Sequence, residues 1–227
     1  MASLLTSLAS LAAAGTMLLS GAVESAAPQN DVDGTLFLVN RQWRVSESYV
    51  PELRMTEVTG QVRRLRPEAS LALERMYAAC KEEIGITLTS VSGYRSYAKQ
   101  QNIYKNKLSK VGGSQAKADE YVARPGASEH QLGFAMDVGQ KNSKTGLSAS
   151  FGNTKGGQWI RENCYRFGFI LRYQEGWEEI TGYNYEPWHV RYVGEEWSMK
   201  IKEANVPFET YLLDLREEIL LRIVSKD

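Results

Sequence analysis

The hydrophobic pattern of the chain changes repeatedly between a helical period and a strand-like one. After Pro67, apolar residues recur every three or four positions as far as Gly85, which predicts a helix that begins at a proline. Residues 86–91 alternate and are β-branched, so they predict a strand. Short apolar runs predict three more strands, at 134–138, 169–173 and 188–193. Further helices are predicted over residues 96–109, 114–121, 156–167, 195–204 and 208–225.

These strands and helices follow one another without a regular βαβ repeat. The pattern therefore predicts an α+β fold with a small, mainly antiparallel sheet flanked by helices. Residues 36–40 predict one more short strand, and an irregular arm through Pro51 is expected to wrap around the domain. The turn-rich segment 176–185 is expected to be a loop.

The first 23 residues contain no charged side chain and are rich in Leu, Ala and Ser. This composition is typical of an export signal or a membrane anchor, although the basic residues that usually begin a signal are missing. We therefore divide the chain into a signal peptide or anchor (1–26), a linker and N-terminal arm (27–66) and a main domain (67–227). An exported, extracytoplasmic protein is expected, with membrane contact only through the first segment if it is not removed.

The composition adds few constraints. Of 227 residues, 43% are hydrophobic and 24% charged, and the formal net charge is zero, as in an ordinary globular domain. No cluster of Lys or Arg interleaved with aromatic residues is present, so a nucleic-acid partner is not expected, and we expect a monomer. Cys80 and Cys164 could form one disulfide in an exported chain or remain two buried thiols.

The two histidines carry the strongest chemical signal. His130 and His189 are the only histidines of the chain, and Asp137 and Glu186 lie within a few residues of them. Two imidazoles and one carboxylate are the ligands of a catalytic zinc ion, which keeps an open position for water and needs a further carboxylate as base. We therefore expect one zinc site, with Asp137 and Glu186 available for the two carboxylate roles.

The residues around the histidines suggest where each one lies. Gly133 permits a tight bend, which would place His130 on a turn and Asp137 on the strand that follows. Pro187 disfavours a helical conformation at Glu186, so Glu186 and His189 cannot form the zinc-binding helix of HExxH peptidases. They are expected to flank the start of the last strand.

Three motifs together resemble those of the VanY-type D-alanyl-D-alanine carboxypeptidases. The motifs are Ser-x-His-x-x-Gly-x-Ala-x-Asp at 128–137, Glu-Pro-Trp-His at 186–189 and Ser-Gly-Tyr-Arg-Ser at 92–96. That family belongs to a metallopeptidase superfamily that also contains lysostaphin and the hedgehog amino-terminal domain. The resemblance extends from about residue 36 to the last predicted helix, and it implies that residues 67–227 are a zinc carboxypeptidase domain.

The resemblance also implies roles for individual residues. It makes His130, Asp137 and His189 the zinc ligands and Glu186 the base that takes a proton from water. Glu129 is a rival base, which we rank lower because an extended backbone there would turn it away from the neighbouring ligand. Arg95 would bind the terminal carboxylate of the substrate and stabilise the oxyanion. Gln100 and Ser128 are expected to be further substrate contacts, with Tyr173 and Trp188 as pocket walls.

The function implied by the resemblance is removal of the terminal D-alanine from peptidoglycan stem peptides. The same site also serves L,D-carboxypeptidases that act on tetrapeptide stems, so this alternative stays open. A third possibility, from another class, is a cell-wall binding module with a structural zinc and no turnover. A base at Glu186 and an arginine at Arg95 argue against it, because a structural site needs neither.

Overall fold

A computed structural model describes residues 31–224, and within them a four-stranded antiparallel sheet carries the residues of interest. The sheet has the order β3-β4-β6-β5 and is preceded by a two-stranded ribbon, β1-β2. The strands are β1 (Arg54–Met55), β2 (Arg64–Leu65), β3 (Leu88–Ser92), β4 (Ala135–Gln140), β5 (Phe169–Leu171) and β6 (His189–Tyr192). The helices are α1 (Pro67–Ile84), α2 (Tyr97–Lys110), α3 (Gln115–Asp119), α4 (Lys155–Asn163), α5 (Glu178–Thr181), α6 (Glu195–Ala204) and α7 (Phe208–Val224).

The register of the two central strands brings distant residues together. Asp137 of β4 lies directly opposite His189 of β6, and Ser92 at the end of β3 lies opposite Asp137 on the other side. A bulge between Ser90 and Ser92 shifts the β3 register by one residue. Bulges change the direction of a strand and often occur beside functional sites. The end of β3 therefore delivers the following segment, with Arg95, to the same edge as the two candidate ligands.

Helix α1 packs its apolar stripe against the sheet as the pattern predicts. It has proline at its first position and ends at Gly85, whose φ of 71° is the left-handed conformation typical of a helix C-terminus. Leu73 and Met76 of α1 are fully buried in one core with Phe134 and Met136. Truncating such a buried side chain to alanine typically costs about 2–5 kcal/mol. This core supports the strand that carries Asp137.

The C-terminal helices complete the domain through a second, smaller core. Phe208 and Leu212 of α7 pack there with Ile170 and Val193, and with Ile201 of α6. These contacts place the first turn of α7 beside β5. The bounds of α6 agree with the prediction, and α7 begins where predicted.

Some local predictions are wrong. Residues 36–40 form no strand; instead, the carbonyl groups of Thr35 and Phe37 accept hydrogen bonds from the buried guanidinium of Arg191. The two-residue strands β1 and β2 are too short to leave an alternating pattern and were not predicted. The helix predicted over 156–167 ends at Asn163 and continues as a 3-10 turn to Phe167.

Cys80 and Cys164 are separate buried thiols and not a disulfide. Burial raises the pKa of Cys80 to about 11 and that of Cys164 to about 12, which makes both unreactive at neutral pH. The expected signal or anchor at 1–26 lies outside the described residues. Within residues 31–224 no helix has the length and apolar character that a membrane span requires.

Candidate metal centre and active site

His130 lies on a 3-10 turn, Glu129–Leu132, that ends at Gly133 in the left-handed conformation. Its Nδ1–H donates to the carbonyl oxygen of Gly93 at 2.8 Å. Its Nε2 is buried and has no hydrogen-bond partner, so the lone pair on this nitrogen is available to a metal. Burial and the nearby charge of Arg95 lower the pKa of His130 to about 4, which keeps the ring neutral.

Asp137 and His189 complete a three-residue cluster. Asp137 Oδ1 lies 3.3 Å from His130 Nε2 and 3.2 Å from His189 Nδ1. One donor atom from each residue lies within 4.8 Å of the others, and all three residues are buried. Although burial opposes ionisation, the two imidazoles and Arg95 hold the pKa of Asp137 well below its usual range. The prediction that His130 lies on a turn and Asp137 on the strand that follows is confirmed.

The donor set fits a divalent metal ion such as zinc. Two imidazole nitrogens and one carboxylate oxygen are ligands that zinc accepts, and a fourth position would stay open for water or substrate. The unpartnered Nε2 of His130 is the observation that favours a metal, because a buried nitrogen without a partner otherwise costs stability. A metal bound to His130, Asp137 and His189 would satisfy it.

His189 has a carboxylate at each ring nitrogen. Its Nε2–H donates to Glu129 Oε2 at 3.1 Å, opposite the nitrogen that faces Asp137. Burial disfavours a charged imidazole, but the hydrogen bonds to Asp137 and Glu129 outweigh it and raise the pKa of His189 to about 9. In the metal-free protein His189 is therefore a cation at neutral pH, whereas His130 is neutral.

Glu186 lies beside the cluster without joining it. Its Oε2 is 3.9 Å from His189 Nδ1, and a turn that closes from His189 N–H to the Glu186 carbonyl precedes β6. Burial raises the pKa of Glu186 to about 7 against the opposing effect of His189. A carboxylate with a pKa near the working pH is suited to accept and return a proton.

Arg95 and Gln100 form a hydrogen-bonded pair beside Asp137. Arg95 Nη2 donates to Asp137 Oδ2 at 3.4 Å, and Nη1 donates to Gln100 Oε1 at 3.0 Å. Arg95 Nε is buried and has no partner. Gln100 also donates through Nε2 to the carbonyl of Ala123 at 2.7 Å. Both groups of the Gln100 amide are therefore used inside the protein, and Gln100 holds Arg95 in place.

The cluster opens into a cavity of about 600 Å³. All the residues predicted from the sequence line it: Arg95, Gln100, Ser128, His130, Asp137, Tyr173, Glu186, Trp188 and His189. The ring of Tyr173 lies 4.9 Å from the ring of His189 and 4.8 Å from that of Tyr183. The segment 176–185 contains the short helix α5, and Tyr183, Asn184 and Tyr185 from its end also line the cavity.

Contrary to the prediction from the sequence, the side chain of Glu129 does not point away from the metal ligands. The backbone there is a 3-10 turn and not extended, so the side chain points inward to His189. Arg172 Nε donates to Glu129 Oε1 at 2.8 Å, and Arg191 lies 3.5 Å from the same oxygen. Although burial opposes it, these two cations hold the pKa of Glu129 far below its usual range, which makes it a poor proton acceptor. Neither arginine was predicted from the sequence, where alternation within the predicted strands at 169–173 and 188–193 was the available signal.

Comparison with known proteins identifies the relatives of this site. The family described as VanY, D-alanyl-D-alanine carboxypeptidase, matches residues 62–195. YodJ of Bacillus subtilis strain 168 is 41% identical over 186 residues, which are 79% of this chain and 67% of that protein. The D-alanyl-D-alanine carboxypeptidase of Enterococcus faecalis V583 is 38% identical over 190 residues, covering 81% of this chain and 67% of the relative.

Solved structures agree with these relatives. The LD-carboxypeptidase LdcB superposes with a TM-score of 0.72 at 42% identity, covering 78% of this chain and 85% of LdcB. VanYB in complex with D-alanine-D-alanine gives 0.67 at 38% identity, with 78% and 97% covered. A D,D-pentapeptidase VanY variant in complex with Zn(II) gives 0.67 at 38% identity, with 78% and 98% covered. The predicted α+β fold is confirmed, and the chain belongs to the VanY family of D-alanyl-D-alanine carboxypeptidases.

Proposed function

We propose that the protein is a zinc-dependent D,D-carboxypeptidase that removes the terminal D-alanine from peptidoglycan stem peptides. The observation that carries the proposal is the convergence of three buried donors, from His130, Asp137 and His189, beside Glu186 in one cavity. A structural metal site is usually closed by four protein ligands, whereas three ligands beside a free carboxylate are typical of a hydrolytic site.

The residues of the cavity divide the reaction between them. Zinc bound by the three ligands would lower the pKa of water and polarise the scissile carbonyl. Glu186 accepts the proton of the attacking water and delivers it to the departing amine of D-alanine. Arg95, with Nε unpartnered, offers a charged donor to the substrate carboxylate or to the developing oxyanion. Tyr173 and Trp188 line the cavity that would hold the substrate.

The relatives support this substrate class. VanYB was solved with D-alanine-D-alanine bound, and the related VanY variant with Zn(II). The bifunctional VanXYC of Enterococcus gallinarum, described as a D-Ala-D-Ala dipeptidase and carboxypeptidase, is 34% identical over 180 residues. The family match at residues 62–195 contains all the residues that line the cavity.

An L,D-carboxypeptidase is the second candidate. LdcB, described as an LD-carboxypeptidase, is 42% identical, slightly more than the 38% of VanYB. The residues named above suit either bond, because metal-assisted hydrolysis is indifferent to the configuration of the residue before the cut. The stem peptide that is cleaved therefore decides between the two activities.

The test is mass-spectrometric detection of alanine released from a muramyl pentapeptide and, separately, from the tetrapeptide. It compares the purified protein with and without chelator, a Glu186→Gln variant, and a Glu179→Gln control at an exposed position of α5. We expect release from the pentapeptide only, abolished by chelator and by Glu186→Gln but not by Glu179→Gln. Release from the tetrapeptide alone would assign L,D activity. No product from either peptide, with zinc bound, would leave a binding module.

We also propose that the protein acts outside the cytoplasm, as a monomer. The uncharged N-terminal segment supports export, and stem peptides of the cell wall lie in that compartment. Cell fractionation and size-exclusion chromatography would test the two statements. Recovery of the protein in the cytoplasm would contradict the first.

A further inference from the structure

Glu129 is a buried carboxylate that contacts a candidate metal ligand without being one. Its side chain is 0% exposed. Oε2 accepts from Nε2–H of His189 at 3.1 Å, and Oε1 accepts from Nε of Arg172 at 2.8 Å. The catalytic steps above leave this residue and its arginine partner without a role.

Arg172 connects Glu129 to the C-terminal helix. Its Nη1 donates to Glu209 Oε2 at 2.9 Å, and its Nη2 donates to Glu209 Oε1. Glu209 lies in the first turn of α7, beyond residue 195, where the family match ends. The Arg172 side chain is 1% exposed, and its guanidinium carbon lies 4.8 Å from the ring centroid of Tyr173 and 5.5 Å from that of Phe208. The guanidinium therefore has little freedom to move, and it bonds a carboxylate on each side.

We propose that Glu129 is a positioning residue for the metal ligand His189, and that Glu209 of α7 holds Glu129 in position through Arg172. This inference rests on the zinc site of the proposed function. It gives the C-terminal helix a part in metal binding, although this helix lies after all three ligands in the sequence.

The reason lies in the two nitrogens of the imidazole. A neutral histidine carries one ring proton, and the ring binds a metal only through the nitrogen that lacks it. A carboxylate at Nε2 keeps the proton there and leaves the Nδ1 lone pair directed at the cluster. Metal-binding histidines commonly donate their second N–H to a carboxylate in this way, and loss of that partner typically weakens metal affinity by about 10- to 100-fold.

Charge balance makes the contribution of Glu209 specific. Arg172 and Arg191 bring two buried positive charges, which Glu129 and Glu209 balance. When Glu209 is replaced by glutamine, Glu129 is the only carboxylate partner that Arg172 keeps among the contacts described. Buried ion pairs depend on both partners, because an uncompensated buried charge is unfavourable. We therefore expect the Arg172 guanidinium to shift and the Glu129 carboxylate to lose its fixed orientation towards His189.

The experiment measures zinc affinity by competition with a fluorescent chelator and follows the His189 Nε2–H proton by NMR of the zinc-loaded, histidine-labelled protein. It compares wild type with Glu129→Ala, Glu129→Gln, Glu209→Gln and the control Glu217→Gln, an exposed carboxylate of the same helix. We expect zinc affinity to fall by about 10- to 100-fold in Glu129→Ala and by a smaller factor in Glu209→Gln. Glu129→Gln retains an acceptor oxygen and should recover part of the affinity. Glu217→Gln should match wild type.

The NMR signal separates positioning from a general loss of stability. In wild type the Nε2–H resonance should be sharp and slow to exchange, and it should weaken in Glu209→Gln and disappear in Glu129→Ala. A variant that only lowers the melting temperature would leave this resonance and the zinc affinity unchanged, which would overturn the inference. If Glu129→Ala does not fold, Glu209→Gln decides by the same two readouts. Failure of wild type to bind zinc would instead refute the proposed function.

Discussion

The two histidines of the candidate metal centre have the same task and opposite surroundings. Their rings lie 5.0 Å apart at an angle of 85° and contact the same Asp137 oxygen. His130 donates its second N–H to a neutral carbonyl, that of Gly93, whereas His189 donates to the carboxylate of Glu129. The pKa is accordingly lowered to about 4 for His130 and raised to about 9 for His189.

The difference shows how the atom at the far nitrogen sets the charge of a buried imidazole. A carbonyl fixes the tautomer but adds no charge, so burial dominates and His130 stays neutral. Two carboxylates overcome the burial of His189. The metal-free centre therefore combines a ligand that is ready to bind with one that must first lose a proton.

Replacing either histidine by alanine should have the largest effect. Each change removes a metal ligand, so zinc binding at micromolar metal and peptide hydrolysis should both be lost. Without metal the two variants should differ. His189→Ala removes the cation that Asp137 and Glu129 share and leaves each carboxylate only its arginine partners, so it should destabilise the protein more than His130→Ala does. His130→Ala leaves only the Gly93 carbonyl unsatisfied, at a cost of about 1–3 kcal/mol before packing losses.

Urea unfolding of the metal-free variants measures this difference. Wild type unfolded under the same conditions is the reference, with chelator present throughout. Equal destabilisation by the two substitutions would contradict the charge asymmetry between the two sites.

Zinc binding should release about one proton at pH 7. His189, with its pKa raised to about 9, is protonated in the metal-free protein and must lose a proton to bind the metal. His130, with its pKa lowered to about 4, has none to lose above pH 5. Zinc affinity should therefore rise about tenfold per pH unit from pH 5 to 8 and level off near pH 9.

Titration calorimetry in buffers of different ionisation enthalpy measures the number of protons released. Release of no proton at pH 7 would show that His189 is neutral before the metal binds. Release of two protons would show that a second group (Glu186, His130 or a metal-bound water) also loses a proton.

The same asymmetry separates what the sequence predicts from what it does not. The cluster of His130, Asp137 and His189 could be predicted because the turn at Gly133 and the two strands are local features with clear patterns. The helix that begins at Pro67 and ends before Gly85 could also be predicted, because its start and end signals are local. The His130 partner, Gly93, lies in the motif that also contains Arg95, so its proximity to the site was indicated even though its hydrogen bond was not.

The residues that hold Glu129 beside His189 could not be predicted in this way. Arg172 directly follows β5 and Arg191 lies on β6, two strands that pair only in the folded protein, and Glu209 lies on a helix beyond both. Nothing local distinguishes them from surface charges, and arginines are usually exposed. The inward direction of Glu129 was missed because a 3-10 turn, and not an extended segment, precedes Gly133. The absence of a strand at 36–40 could not be predicted either, because the Phe37 carbonyl there accepts a hydrogen bond from Arg191, which is distant in the sequence.

A methyl group at Gly93 should disturb the hydrogen bond between His130 and the Gly93 carbonyl group without adding or removing a charge. A Cβ there would lie 2.6 Å from the Arg64 carbonyl oxygen and 3.0 Å from Cε of Met136. Because the nearest atom is backbone, the end of β3 must move, at a cost of about 1–3 kcal/mol. We expect Gly93→Ala to weaken zinc binding, while the number of protons released at pH 7 stays at about one. Calorimetry measures both the zinc affinity and the number of protons released. Gly112→Ala is not a suitable control, although Gly112 is exposed, because its φ of 69° would strain a residue with a side chain.

The smallest effect is expected from Gln100→Ala, which acts on Arg95 and leaves both histidines intact. Arg95 Nη1 loses its acceptor and the Ala123 carbonyl loses its donor, but the bond from Arg95 to Asp137 remains. If the lost hydrogen bond raises the activation free energy by about 1.5 kcal/mol, because Arg95 is less well oriented, kcat/KM for the peptide falls by about tenfold. Zinc affinity should change less than twofold, since none of the three ligands loses a partner. Steady-state kinetics and chelator competition on the same preparation test both values, with Gln101→Ala, the next residue of α2, as the matched control. An unchanged kcat/KM would show that Asp137 alone holds Arg95, whereas a large loss of zinc would show that Gln100 supports the His130 side of the metal centre directly.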